Sequence, residues 1–396
     1  MQPNHVIRSE EDLMNHFGSQ KLEILDLQQM ERFLEMDVQP EVWEDASKRN
    51  LLSFSQEFAQ QTEEYAFNNI GIKYIYLVSF LTNLTELDLQ ENQISDISAV
   101  SKLKNLKKLY LGSNRIEDIS ALQSLPDLTH LGLSKNQLTS YTLVLPNLVE
   151  LSLGFNKLLD KSGLQHSPKL LKLNLSGTET TDLRTIPLQL FGFKELDQDL
   201  QFLDLCCNKQ LKNIGHLQFC TQLTELNIST TSVADIWPLQ FMKNLKTLEM
   251  YKTKVVDLHP LQHLYRLEKI YALYSCILDV SPLSKLIQLQ TLSFSFNKIT
   301  NADTLQHLKN FSKYRLADQK VPTPDELKFY NKILKVHSSH KQIRKIQNEK
   351  SVCKFRTSLT QKKNYVSTKL NNQIMVMNKE LNLFMQFIHN SNTYLD

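Results

Sequence analysis

From residue 84 onward, apolar and polar positions alternate in short runs that return at a nearly fixed interval. Leu84, Leu87 and Leu89 precede Asn92; Leu106, Leu109 and Leu111 precede Asn114; Leu289, Leu292 and Phe294 precede Asn297. Ten copies of this phrase follow one another, mostly 22 residues apart. Within each phrase the alternation has period two, which predicts a short strand with one buried and one exposed face. Leu87 and Leu89 point inward, while Glu86, Asp88 and Gln90 point out. A second apolar set follows each strand, as in Ile94 and Ile97, Ile116 and Ile119, Val233 and Ile236, Val255 and Leu258, and Ile277 and Val280. No single copy can bury both sets, so the copies must stack into a solenoid and be stable together. Ten strands about 4.8 Å apart predict a parallel sheet roughly 45 to 50 Å long, which is room for a protein-sized ligand.

A turn follows each strand. Asn92, Asn114, Asn136, Asn156, Asn208 and Asn297 stand at that position, and Thr178, Thr231, Thr253 and Ser275 replace them in other copies. A short polar side chain there can satisfy turn backbone groups that would otherwise be buried unpaired. The hydroxyl residues offer one donor group fewer than an amide, so their turns are expected to be less tightly specified.

The period and the intervening phrases, Val233-x-Asp235-Ile236-Trp237-Pro238-Leu239, Val255-x-Asp257-Leu258-His259-Pro260-Leu261 and Ile277-x-Asp279-Val280-Ser281-Pro282-Leu283, resemble one class of leucine-rich repeat. It is the 22-residue class shared by the protein phosphatase 1 regulatory leucine-rich subunit and internalin-type repeats. The resemblance covers residues 60–320. It implies an α/β solenoid: a curved array with a parallel sheet on the concave face, 3₁₀ or extended segments on the convex face, and helical ends. Proline at the start of a convex turn fits short 3₁₀ segments better than full helices. The class hosts many unrelated partners, so it predicts binding without naming what is bound.

Three domains are expected: an acidic, mainly helical cap over 1–60, the repeat array over 61–320, and a basic helical tail over 321–396. A degenerate copy, Ile72, Ile75 and Val78, precedes the first clear one. Upstream, Leu22, Leu25 and Leu27 fit the phrase, but Met30 replaces its asparagine. Ser9-x-x-Asp12 reads as a capping box. In the tail, Leu370, Ile374, Met377, Leu381, Phe384 and Ile388 keep heptad spacing, consistent with a short coiled coil or an amphipathic helix that packs back. The register breaks between Thr178 and Asn208, which lie 30 residues apart, through an insertion at about Arg184–Asp199. Such insertions become loops on one face; this one packs on its own repeat or docks a partner.

Charge sharpens this division. The net charge of +3 conceals 5 basic and 12 acidic side chains over 1–60, against 14 basic and 5 acidic over 320–396. Any single-sign field therefore belongs to the ends. The tail could meet an acidic partner, yet Phe329, Tyr330, Phe355 and Tyr365 form no stacking platform, which argues against nucleic acid. With 41% apolar residues the chain is expected to fold over most of its length. The opening residues carry Arg8, Glu10, Glu11 and Asp12 without an apolar run, and no stretch suits a membrane span. Five cysteines lack metal-ligand spacing and read as reduced thiols, which suggests a cytoplasmic protein, with a nuclear location left open. Asn83, Asn174 and Asn227 head glycosylation triplets but fall in or beside predicted strands.

No catalytic, metal or cofactor constellation emerges. Nine glycines supply no phosphate loop, dinucleotide fingerprint or nucleophile elbow. His337 with His340, and His259 with His263, have suggestive spacings but lack further ligands. Cys206 should project onto the concave face as an ordinary thiol. The expected binding residues are the outward strand positions Glu86, Asp88, Tyr110, Glu150, Phe202, Asp204, Glu225, Glu249, Tyr251 and Tyr271, a mixture of acidic and aromatic groups suited to a protein interface. Lys108, His130, Lys172 and Lys269 interrupt that row, and Gly132, Ser134, Ser152, Gly154 and Ser176 leave its middle small. The resemblance to the phosphatase subunit implies a grip through acidic and aromatic groups on this face. The expected function is a non-enzymatic adaptor or regulatory subunit that binds another protein. The alternative is a structural or cytoskeleton-associated component assembling through the tail.

Overall fold

Leucines that alternate with polar residues become a ladder once the strands pair. Twelve short parallel strands form one sheet in strict chain order, from Glu64–Ala66 through Glu86–Asp88 and Lys108–Tyr110 to Thr291–Ser293 and Lys313–Arg315. Their register is uniform: Leu87, Leu109, Leu131, Leu151, Leu173, Leu203, Leu226, Leu248, Ile270 and Leu292 are successive partners. All ten are buried in one continuous core. The computed structural model describes residues 64–186 and 200–305, with 22–24, 34, 41, 52–54, 308 and 313–315.

The convex side is built from 3₁₀ turns such as Ser98–Lys102, Ser120–Ser124 and Trp237–Phe241. A two-residue Asx contact starts most of them. Asp96, Asp118, Asp235, Asp257 and Asp279 each accept, on Oδ1, the backbone N–H two residues on. Hydrogen bonds to Ser120 hold the Asp118 carboxyl below its usual range. Pro238, Pro260 and Pro282 open the later turns, where the missing N–H costs nothing. Sheet inside and tight turns outside make this array a curved α/β solenoid.

The asparagine ladder ties each repeat to the one before it. Asn114 accepts from Ile94 N at 3.0 Å and donates to Leu89 O at 2.9 Å and Leu111 O at 3.0 Å. Asn92, Asn136, Asn156, Asn208 and Asn297 repeat this three-way bridge. Thr178, Thr231 and Thr253 donate only within their own turn, to Leu175 O, Ile228 O and Met250 O. Ser275 is an exception, because its hydroxyl reaches back to Met250 O and meets Thr253 Oγ1. Just before each ladder residue the backbone turns left-handed, as at Glu91 (φ 58°), Lys135 (φ 56°), Phe155 (φ 56°), Cys207 (φ 62°), Tyr274 (φ 52°) and Phe296 (φ 60°). That conformation disfavours L-residues. It is offset where the turned N–H extends the sheet, as in Glu91 N to Gly112 O at 2.8 Å and Tyr274 N to Ser295 O at 3.1 Å.

The 20-residue repeat between Asn136 and Asn156 carries its own adjustments. Gly163 lies against the backbone of Tyr141, Thr142 and Leu143, where an added Cβ would sit 2.7 to 2.8 Å from three main-chain atoms. Tyr141 is wholly buried, and burial pushes its phenol up to about 12 against a weaker opposing contact with the Ser167 side chain, which falls short of a well-formed hydrogen bond. Buried Lys161 donates to Leu158 O at 2.7 Å, and burial lowers its pKa.

At the front, Leu22–Ile24 pairs in parallel with Leu52–Phe54 as a separate two-stranded sheet, while Leu34 and Glu41 are helical. The expected cap over 1–60 thus contains two strands and two helical positions; the rest of it lies outside the described residues. So do most of the 184–199 insertion and the basic tail with its 370–388 seam. The chain divides into two units, Met1–Tyr330 and Asn331–Asp396, and every described residue belongs to the first.

Candidate functional site

Parallel register converts outward strand positions into rows across the concave face. One row runs Glu86, Lys108, His130, Glu150, Lys172, Phe202, Glu225, Thr247 and Lys269. The next runs Asp88, Tyr110, Gly132, Ser152, Asn174, Asp204, Asn227, Glu249 and Tyr271. The expected acidic and aromatic positions face outward and none of them is buried, whereas Gly154 and Ser176 in the small middle of the face are. The face then closes: Thr291, Ser293 and Ser295 are buried although their positions are outward ones.

The acidic positions fall into two groups that the one-dimensional row does not distinguish. In the first half, two of the three carboxylates are neutralised by lysines one strand away, while Asp88 accepts from the amides of Asn68 and Gln90. Lys108 Nζ meets Glu86 Oε2 at 2.7 Å, and Lys172 Nζ meets Glu150 Oε2 at 3.0 Å. The Glu86 contact also raises the Lys108 pKa. Tyr110 lies along the sheet over Gly132, whose missing Cβ would stand 3.2 Å from the ring, and burial pushes its phenol up. The middle is small and self-satisfied, with Ser134 and Ser152 hydroxyls 2.7 Å apart.

The second half differs. Asp204, Glu225 and Glu249 have no basic partner among the described residues. Glu249 is raised by burial and then by the charges of Asp204 and Glu225. Asp204 is raised by burial, an effect opposed by the hydrogen bond its Oδ1 accepts from Cys206 N at 2.8 Å. Like charges that lack counterions and are partly withdrawn from water leave a local negative potential.

Beside them stands an aromatic ladder that strand alternation alone does not reveal. Tyr251 meets Tyr274 edge-on at 5.7 Å, and Tyr274 stacks on Phe296 at 4.2 Å with rings 7° apart. Lys252 Nζ lies 5.2 Å from the Tyr251 ring centre. Tyr274 is 45% exposed. Tyr274 and Phe296 occupy the left-handed turn position, one residue before Ser275 and Asn297. The signal was present in the sequence as bulky aromatics at that recurring position, where Glu91, Ser113 and Lys135 stand in earlier repeats.

His259 and His263 do not come together: His259 Nδ1 meets Asp257 Oδ1 at 2.6 Å, whereas His263 meets the Tyr265 hydroxyl at 3.1 Å; His337 and His340 lie outside the described residues. Among the described residues no group of side chains could hold a metal ion, and no helix is long and apolar enough to cross a membrane.

The family described as "Leucine Rich repeats (2 copies)" matches residues 82–124 and 104–145. Among solved structures, an internalin (InlF) from Listeria monocytogenes is 26% identical, with 69% of this chain and 72% of that chain covered and a TM-score of 0.51. A leucine-rich repeat protein of Leptospira interrogans is 21% identical over 78% of this chain and 81% of its own, also with a TM-score of 0.51, a likeness of fold alone. No curated protein sequence matches the chain. The chain carries leucine-rich repeats, and its fold is that of a protein-interaction scaffold.

Proposed function

We propose that this protein is a non-enzymatic adaptor or regulatory subunit that binds a protein partner on the second half of its concave face. The observation that carries the reading is the contrast between Glu86 and Glu150, each paired with a lysine, and the cluster of Asp204, Glu225 and Glu249, which has no basic partner among the described residues. A partner that supplies arginine or lysine there gains charge-assisted hydrogen bonds and relieves mutual repulsion. Tyr251, Tyr271 and Tyr274 add rigid, amphipathic contact area at one edge. The earlier acidic and aromatic positions, Glu86, Asp88, Tyr110, Glu150 and Phe202, then form the flank of the site. We further propose a cytoplasmic setting, which the free thiols of Cys206 and Cys207 support.

Selection of a displayed random-peptide library on the wild-type chain tests this reading. Peptides enriched in arginine and lysine are expected, and they should be lost when Asp204→Asn, Glu225→Gln and Glu249→Gln are combined without a change in unfolding midpoint. Selection of the same peptides by both proteins refutes the proposed site.

A further inference from the structure

Cys206 and Cys207 stand at the edge of the concave face, and their sulfurs are 3.0 Å apart. Adjacent residues rarely achieve this. Their Cα atoms are held about 3.8 Å apart by the trans peptide, short of the roughly 4.4 to 6.8 Å that disulfides usually span. Here the repeat supplies the required turn, because Cys207 occupies the left-handed position with φ 62°. The backbone is fixed on both sides of the pair. Cys206 N donates to Asp204 Oδ1 at 2.8 Å, Cys207 N donates to Ser229 O at 2.9 Å, and the following Asn208 is buried in its three-way bridge. Both side chains are half-buried free thiols, so a small oxidant can reach them.

We propose that Cys206 and Cys207 form a reversible modification site, a vicinal dithiol that closes to a disulfide when it meets a peroxide. Burial, then the Cys207 sulfur, pushes the Cys206 thiol up to about 12, which disfavours Cys206 as the first nucleophile. The Cys207 sulfur displaces one oxygen of hydrogen peroxide, forming a sulfenic acid and releasing water. Cys206 sulfur then attacks the sulfenic sulfur; hydroxide leaves and takes the Cys206 proton as a second water. Two electrons pass from the two sulfurs to the peroxide. The sulfurs close by about 1 Å to reach a bond of roughly 2.04 Å. A bridge between neighbours is strained, and strained disulfides are readily reduced, so a thiol reductant reopens it.

Trypsin offers a clean readout, because cleavage after Lys194 and Lys209 gives the peptide Glu195–Lys209, which holds both residues and no other cysteine. The full chain is treated with hydrogen peroxide, alkylated with iodoacetamide, digested and weighed. The expected product is this peptide lighter by two hydrogens, unalkylated, and restored by a phosphine reductant; Cys206→Ser and Cys207→Ser abolish it. Closure should be at least about tenfold faster in the native chain than in urea, the advantage of a pair already positioned. Alkylation of both residues after peroxide, a bridge to Cys220, Cys276 or Cys353, or equal rates in urea overturns the proposal.

Discussion

Asn208 is the most demanding position in the turn ladder, since it bridges the longest repeat. Its side chain is 1% exposed. Oδ1 accepts from Thr180 N at 2.8 Å, and Nδ2 donates to Leu175 O at 2.8 Å and Leu205 O at 2.9 Å. Leu175 O also receives the Thr178 hydroxyl at 2.8 Å, so it stays satisfied when Asn208 is removed. Asn208→Ala therefore orphans one buried N–H and one buried carbonyl, at about 1 to 3 kcal/mol each, for a total of about 2 to 6 kcal/mol. Asn208→Thr should keep the own-turn bond that Thr231 makes to Ile228 O at 2.6 Å and lose only the partner of Thr180 N, about 1 to 2 kcal/mol. Urea unfolding of the three proteins, followed by circular dichroism, measures the series. Solenoid repeats are stabilised by their neighbours, so a broadened transition in the alanine variant reports uncoupling at this repeat. Equal losses for alanine and threonine, or an alanine cost below about 1 kcal/mol, refute the bridging role.

Tyr141→Phe removes a buried hydroxyl that, apart from a contact with the Ser167 side chain, finds no hydrogen-bond partner among the described residues, and it should leave stability unchanged or raise it by up to about 1 kcal/mol in the same assay. Gly163→Ala forces a Cβ to within 2.8 Å of main-chain atoms of the neighbouring repeat, and it should cost about 1 to 3 kcal/mol or more, read as a lowered melting temperature. Glu249 binds its proton more tightly folded than unfolded, so its contribution to stability is fully present below the unfolded pKa and is lost as pH rises through the folded one. Glu249→Gln should therefore gain on the wild type in melting temperature between about pH 4 and pH 7, and a constant difference contradicts the assignment. Binding of an arginine-rich peptide should strengthen over the same rise in pH, because the proposed site works through the ionised carboxylates; titration calorimetry at the two ends measures it.

Much of the fold was legible because the leucine phrase is local and repeated. One strand per copy, Leu87 inward and Glu86 outward, and 3₁₀ turns opened by Pro238 or Pro282 all follow from period and composition. The candidate site was legible only as a list of outward residues. Cys206 reads as an ordinary thiol because no basic residue adjoins it in the sequence, and its relation to Cys207 depends on a left-handed turn that spacing does not show. Tyr274 and Phe296 lie outside strand alternation and so were missed.

By itself, then, the sequence determined that this chain is a stack of repeats and which side chains leave the core, because backbone pairing and leucine burial are dictated within each 22-residue copy. The tertiary structure alone decided which outward charges meet. Lys108 reaches Glu86 and Lys172 reaches Glu150 across neighbouring strands, while Asp204, Glu225 and Glu249 meet no such cation among the described residues. Coulomb interactions fall with distance in space, and residues 22 apart in the chain become neighbours only when the strands pair.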